Sequence, residues 1–236
     1  MRTLRPPFVQ GWTMLCGPQI KRAANIRNSI LRLGHAAIRI ARKDFETSKK
    51  EMKMETNVII QELRARASLG WKPEQQAWFD QQANDARPVQ CVRMRDAFTP
   101  EQLRFLDILG YKTQQKMCYR NAAELVRLVA GLGALTLTTA PVRYVEGFAY
   151  AYGLLPIEHA FVKVGDLYVD PTFERALHRD VRKELYAACI ELDFETMARY
   201  QVETGFYGEL YVYDYMCKNR PELAAQIRAR NPHNRK

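Results

Sequence analysis

One cysteine in this sequence occupies a position that favours nucleophilic chemistry. Cys118 starts a helical pattern, because Ala122, Leu125 and Val129 follow it at spacings that share one helix face. The N-terminus of a helix carries partial positive charge and unpaired N–H groups, which favour a thiolate over a thiol. Cys118 is therefore a candidate nucleophile, with backbone N–H groups around it as candidate oxyanion donors. The alternative is a small buried hydrophobic side chain.

A predicted hairpin places a histidine beside a carboxylate. The Gly165-Asp166 pair suits a two-residue type II′ turn between two strands. In that register His159 and Asp170 are diagonal neighbours on one sheet face, with Cβ atoms roughly 7–8 Å apart, whereas a three-residue loop would put them on opposite faces. We expect His159 to act as general base and acid and Asp170 to hold its tautomer. A core histidine and a plain turn residue are the structural alternatives.

Further residues near these three are candidates for oxyanion or substrate contacts. Two glutamine side chains just before the predicted helix can donate amide N–H groups to a developing oxyanion. Glu146 either faces solvent or caps a neighbouring element, and Gly147 lets a substrate backbone or the Cys118 helix come close. The full candidate set is Gln114, Gln115, Tyr119, Glu146 and Gly147.

Four patches of the sequence together resemble the papain-like cysteine hydrolases of the transglutaminase-like type. They are Met-Cys-Tyr-Arg-Asn-Ala at residues 117–122, Tyr-Val-Glu-Gly-Phe-Ala at 144–149, Glu-His-Ala-Phe at 158–161 and Val-Asp-Pro-Thr at 169–172. Uncharacterised proteins of bacteria and their phages share the Cys-Tyr-x-Asn-Ala, Glu-Gly and Asp-Pro-Thr patches. The resemblance covers residues 114–173, and Phe161 departs from it, since many relatives carry Trp there.

The resemblance implies a fold and a chemistry more than a substrate. In this superfamily the order Cys, His, Asp on helix, strand and strand marks the catalytic triad, which implies these roles for Cys118, His159 and Asp170. Its members include peptidases, amidases, acyltransferases and inactive copies, so it does not single out one reaction.

The excess positive charge lies almost entirely in the N-terminal quarter of the chain. Of the net charge of +10, residues 1–66 carry +9. Apolar residues between Ala23 and Ile40 recur at spacings of 3 and 4, which predicts a long amphipathic helix with a cationic surround. We interpret this basic arm in three ways: a helix that packs on its own domain or in an oligomer, a contact for nucleic-acid phosphates, or an attachment to an anionic membrane. Its basic residues are Arg22, Arg27, Arg32, Arg39, Arg42 and Lys43.

The remaining pattern predicts an α+β domain over residues 67–236, following an arm of residues 1–66. The pattern adds further helices at the C-terminus, and the resemblance implies a papain-like core, with the cysteine-bearing helix packed on a small antiparallel sheet. Helices are predicted at 73–86, from a Thr99-Pro100 start to Gly110, and at 118–132, 180–200 and 221–230. Strands are predicted at 142–152, 157–164 and 167–169.

The composition excludes several classes of protein and site. The five cysteines include no C-x-x-C pair, which argues against a disulfide framework or a cysteine zinc site. No glycine-rich phosphate loop, H-E-x-x-H or acidic metal loop occurs, so no cofactor or metal is expected. No secretory or membrane-spanning segment is recognisable, and we expect a cytoplasmic protein of a bacterial cell or phage-infected host, with a virion as another location.

Two functions fit these observations. The first is a thiol hydrolase or acyltransferase of the peptidase or amidase type, acting through an acyl-enzyme on a protein, peptide or acyl substrate. The second is a non-enzymatic binding or structural protein, such as a phage component, that uses the basic arm on a catalytically retired hydrolase fold.

Overall fold

The computed structural model describes residues 57–131, 140–150 and 156–231. The chain divides into two compact units, Met1–Thr47 and Ser48–Lys236, and all described residues belong to the second. The basic residues proposed for the arm, from Arg22 to Lys43, lie outside the described residues, as does its predicted helix.

The described part of the chain combines α-helices with one curled sheet, which confirms the α+β class. The α-helices are α1 (Asn57–Ala67), α2 (Pro73–Asp85), α3 (Met94–Ala97), α4 (Pro100–Ile108), α5 (Cys118–Gly131), α6 (Phe194–Thr204), α7 (Leu210–Asn219) and α8 (Pro221–Arg230). The strands are β1 (Arg87–Val89), β2 (Cys91–Val92), β3 (Val142–Tyr150), β4 (Pro156–Val164), β5 (Leu167–Val169) and β6 (Leu185–Leu192). A π-helical turn (Thr172–Ala176) follows β5, and a 3-10 turn (Val181–Lys183) precedes β6.

The six strands form a single sheet in the order β1-β6-β3-β4-β5-β2. Strand β2 runs parallel to β5, and the other neighbours are antiparallel. Between β4 and β5, Val162 pairs with Val169 and Val164 with Leu167, across the two-residue turn Gly165-Asp166. This register is the one predicted from the turn, so His159 and Asp170 lie on the same face.

The two faces of the sheet bury different side chains. Helix α5 packs its apolar face, including Leu125 and Val126, against residues such as Val162. Residues at alternate positions point the other way, where Phe161 and Tyr186 pack in a separate aromatic cluster. Because both faces are covered, successive residues are buried in the middle of β3, from Tyr144 to Ala149, and of β4, from His159 to Val162.

Helix α1 also packs against the sheet and contributes buried residues to the core. Ile59 and Leu63 are fully buried and pack with Phe148 and Ala187 of the sheet. The boundary predicted at residue 66 falls inside this helix, so residues 57–66 fold with the domain that the prediction began at residue 67.

The predicted helix over residues 180–200 is wrong. Its first half contains the 3-10 turn and β6, which lies between β1 and β3 within the sheet. The helix begins only at Phe194, after Asp193 caps it by accepting the Thr196 N–H at 2.8 Å. Pairing with two neighbouring strands outweighs the local helical preference of the alanine-containing β6 sequence.

Other local signals are confirmed. Thr99 forms a capping box with Gln102 at the start of α4, as the sequence predicts. No helix among the described residues is long and apolar enough to cross a membrane.

Candidate active site

Cys118 lies in the first turn of α5. The first intrahelical bond joins the Asn121 N–H to the Met117 carbonyl at 2.8 Å, so the N–H groups of residues 118–120 have no carbonyl within the helix to receive them. The chain enters the helix through Lys116, a non-glycine residue with a φ of 61°. The Cys118 side chain is partly exposed. These features give a reachable thiol beside free backbone donors.

His159 and Asp170 form a short hydrogen bond in the interior. The His159 Nε2 atom lies 2.7 Å from Asp170 Oδ2. The two residues are 2% and 0% exposed, so their interaction is not weakened by solvent. His159 projects from β4 and Asp170 directly follows β5, which is the diagonal arrangement expected from the hairpin register.

Asp170 accepts further hydrogen bonds from three protein donors. Its Oδ1 accepts the N–H groups of Thr172 at 2.9 Å and Phe173 at 3.0 Å, as a residue that caps a helical turn does. Its Oδ2 also accepts the Tyr186 hydroxyl at 3.0 Å. Asp170 therefore combines the turn role with the role of histidine partner, and both oxygens have protein donors.

The surroundings of His159 favour the imidazolium. Burial lowers the pKa of His159, but the charge and hydrogen bond of Asp170 and a hydrogen bond with Cys118 outweigh it and raise the pKa to about 10. Because Nε2 is bound to Asp170 at 2.7 Å, Nδ1 is the ring nitrogen left to interact with the thiol. The Phe173 ring lies 4.5 Å from the imidazole, centroid to centroid, and restricts its orientation.

One imidazole is thus hydrogen-bonded to the Asp170 carboxylate and has its pKa raised by the nearby Cys118 thiol, so side chains from three different elements act on one another. No protein-family model, curated protein or solved structure matches this chain. The arrangement can hold a thiolate beside an imidazolium, with unpaired N–H groups at the start of α5 available to an oxyanion.

The two predicted glutamine donors have different positions. The main chain of Gln114 is held by the Asn121 side chain, which accepts its N–H at 3.0 Å and donates to its carbonyl at 2.7 Å. The Gln115 amide donates to the Ala176 carbonyl at 3.4 Å, and the residue is exposed. This contact links the loop before Cys118 to the turn after Asp170.

Glu146 caps a helix, and the alternative that it faces solvent is wrong. Its carboxylate accepts the N–H groups of Leu210 at 3.0 Å and Tyr211 at 2.8 Å, at the start of α7, and the Tyr144 hydroxyl at 2.6 Å. Burial raises the pKa of Glu146 to about 7, against these hydrogen bonds. Because protein donors occupy both oxygens, we assign Glu146 a structural role next to the site.

Because Gly147 has no side chain, another part of the protein can approach it closely. The part that does so is the neighbouring strand β6. A Cβ atom there would lie 2.0 Å from the Ala187 carbonyl oxygen of β6. The β3–β6 register shifts between Glu146 and Gly147, so that Cys189 is the extra residue of a β-bulge. Neither the substrate nor the α5 helix supplies the atom that requires glycine here.

Tyr119, the residue after Cys118, packs against the loop before α7. Its ring packs so closely on Gly208 that a Cβ on that glycine would lie 2.2 Å from the ring. Burial raises the pKa of its hydroxyl, and nearby carboxylates such as Glu146 and Glu158 raise it further. The hydroxyl is therefore neutral at ordinary pH and available as a hydrogen-bond donor.

The other described cysteines lack these partners for a thiolate. Cys91 is fully buried, and burial raises its pKa well above the ordinary value. Burial also raises the pKa of Cys189 to about 12. No group of three or more His, Cys, Asp or Glu side chains within the described residues could hold a metal ion.

Sequence reasoning did not find the residues that support the three central side chains. Tyr186 lies in a strand that the sequence predicts as helix, and Thr172 ends the Val-Asp-Pro-Thr patch but is assigned no role from the sequence. For Asn121 there was a usable signal, because it stands three residues after Cys118 and so shares its side of the helix.

Proposed function

We propose that this protein is a thiol hydrolase or acyltransferase with a papain-like core, in which Cys118, His159 and Asp170 form the catalytic triad. The observation that supports it is the position of one buried imidazole, bonded to the Asp170 carboxylate at 2.7 Å and near enough to the Cys118 thiol for that thiol to raise the pKa of His159. A cysteine-bearing helix packed on a largely antiparallel sheet fits the same proposal.

The first half of the reaction forms a thioester. The Cys118 thiolate attacks the carbonyl carbon of an amide or ester, and the carbonyl electrons move to oxygen, which accepts hydrogen bonds from N–H groups at the start of α5. The intermediate collapses as the imidazolium donates its Nδ1 proton to the departing nitrogen or oxygen. The carbon–nitrogen or carbon–oxygen bond breaks, and the acyl group remains on sulfur.

The second half regenerates the thiolate. His159, now neutral, removes a proton from water or an amine, whose oxygen or nitrogen attacks the thioester carbonyl. The carbon–sulfur bond breaks, and the thiolate leaves beside the imidazolium. Throughout both halves, Asp170 keeps the Nε2 side of the ring protonated and fixes its orientation.

Reaction with a cysteine-directed electrophile tests this proposal. We expect iodoacetamide at pH 7 to alkylate Cys118 roughly tenfold faster than Cys217, a partly buried cysteine of the same chain that serves as internal reference. In His159→Ala the rate at Cys118 should fall to that of the reference, while the rate at Cys217 stays constant. Equal, slow alkylation of both cysteines in the unmodified protein would refute the proposal.

Detection of the acyl-enzyme also allows substrate classes to be compared. Peptide, peptidoglycan and acyl-thioester substrates can be incubated side by side, and the acyl group on Cys118 detected by intact-protein mass spectrometry. We expect a thioester adduct with one class, and its release by water or by an added amine separates hydrolase from transferase. Cys118→Ala is the control that should form no adduct.

A further inference from the structure

A buried hydrogen bond connects the helix that carries the cysteine to the turn that carries the aspartate. The Asn121 Nδ2 atom donates to the Thr172 Oγ1 atom at 2.9 Å. Both residues are 2% exposed. Asn121 follows Cys118 by three residues on α5, and Thr172 follows Asp170 by two.

Asn121 also fixes the loop that leads into the helix. Its side chain accepts the Gln114 N–H and donates to the Gln114 carbonyl, so one amide closes both hydrogen bonds with that residue. The Tyr111 hydroxyl donates to the Asn121 carbonyl at 2.9 Å. The first turn of α5 is therefore tied to the loop on one side and to the Asp170 turn on the other.

Thr172 bonds to both halves of the site through different atoms. Its backbone N–H donates to Asp170 Oδ1 at 2.9 Å, while its hydroxyl accepts from Asn121. A change of its side chain can thus remove the link to α5 and leave the backbone cap of Asp170 in place.

We propose that Asn121 and Thr172 are positioning residues that hold the Cys118 sulfur against the His159 ring, and we call their hydrogen bond the helix latch. This inference rests on the proposed function, because the position of the Cys118 sulfur matters most if the sulfur reacts as a nucleophile with the help of the His159 ring. His159 and Asp170 are fixed to each other by the hairpin, whereas Cys118 stands on a separate helix. The latch sets the distance between the two parts, and a displacement of about 1 Å can cost 10²-fold in rate.

Thr172→Val tests the latch, because valine keeps the shape of threonine and removes the hydroxyl. We expect the iodoacetamide rate at Cys118 to fall about tenfold relative to Cys217. Thr172→Ser, which restores a hydroxyl, should recover most of the rate. If valine does not fit the buried site, Thr172→Ala removes the same hydroxyl without an added methyl group.

Tyr111→Phe is the matched control. It removes a buried hydrogen bond to the same residue, Asn121, but leaves the latch to Thr172 intact. Both variants should lose Tm by roughly 2–6 °C, the consequence of one lost buried hydrogen bond. Only Thr172→Val and Thr172→Ala, which lack the hydroxyl, should slow Cys118, since a purely structural bond would affect Tm alone.

A second readout separates failure of the latch from failure of the proposed function. The NMR titration of His159 responds to its contact with Cys118, so Cys118→Ala should lower the His159 titration midpoint, and Thr172→Val should lower it in the same direction. If the unmodified Cys118 is no faster than Cys217, the proposed function fails, but a shifted midpoint in Thr172→Val still supports the latch. If Thr172→Val matches the unmodified protein or Tyr111→Phe in both readouts, the latch is refuted.

Discussion

Replacement of Asp170 by Asn tests the electrostatic basis of the site. The substitution keeps the shape of the side chain and removes the charge that bonds to His159 at 2.7 Å. In the unmodified protein the pKa of His159 is about 10, although burial of the ring lowers it. Without the carboxylate, burial becomes the dominant effect, and we expect the pKa to fall to 6.5 or below. At pH 7.5 no more than about one tenth of the rings would then carry a charge.

The titration can be followed directly by NMR of ¹⁵N-labelled histidine. The chain contains four histidines, so His159→Gln assigns the signal of His159 by its disappearance. The unmodified protein should show the imidazolium nitrogen shifts at pH 7.5 and change only near pH 10. Asp170→Asn should show neutral imidazole shifts at pH 7.5.

Tyr186→Phe is the matched control for this experiment. Tyr186 donates to the same Asp170 oxygen at 3.0 Å, and its removal leaves the negative charge in place. We expect a lower Tm but an unchanged His159 transition near pH 10. An unmodified protein in which His159 titrates near 6.5, or an Asp170→Asn variant that still titrates near 10, would refute the reasoning.

The same pKa shift makes a prediction for stability. A histidine pKa that is raised in the folded state contributes stability in full below pH 6.5, the ordinary value, and loses it as the pH rises through about 10. The free energy of unfolding should therefore fall by about 1.4 kcal/mol for each pH unit in this window. Urea denaturation at pH 6.5 and pH 10 measures the change, and Asp170→Asn should abolish it.

Three further predictions concern the scaffold, each measured by urea denaturation. The pKa of Glu146 is about 7 instead of 4.5, so its contribution to stability should be lost as pH rises from 4.5 through 7, by about 3 kcal/mol, and Glu146→Gln should be flat in that window. Gly147→Ala should cost about 3 kcal/mol or more, because its Cβ meets the strand backbone at 2.0 Å, whereas Gly110→Ala, with no atom within 4 Å, should cost only about 1 kcal/mol of backbone strain. Leu63→Ala should cost about 2–5 kcal/mol, since α1 is part of the core, and an effect below 0.5 kcal/mol would show that α1 is not.

Local chemistry explains which parts of the site were predictable. The Gly165-Asp166 turn fixes its own loop length, and the loop length fixes the β4–β5 register, so the His159–Asp170 contact follows from a few adjacent residues. The start of α5 at Cys118 is also local, since an apolar repeat defines the helix.

The remaining parts depend on contacts between distant residues. Strand β6 has a sequence that favours a helix, and only pairing with β1 and β3 makes it a strand. Tyr186 lies on this strand, so its bond to Asp170 could not be predicted once the strand was missed. Glu146 caps a helix that begins 64 residues later, a distance over which no spacing rule operates.

The two-residue turn also restricts how this hairpin can diverge. His159 and Asp170 are eleven positions apart, an odd separation that places both on one face. Inserting or deleting a single residue within either strand, with the two-residue turn kept, would turn the carboxylate away from the ring, whereas a change of two residues would keep both on one face. In any divergent chain that retains this site and the two-residue turn, the parity of the interval from histidine to aspartate should persist after the surrounding sequence has changed. Parity is thus a search criterion that does not depend on residue identity at any other position.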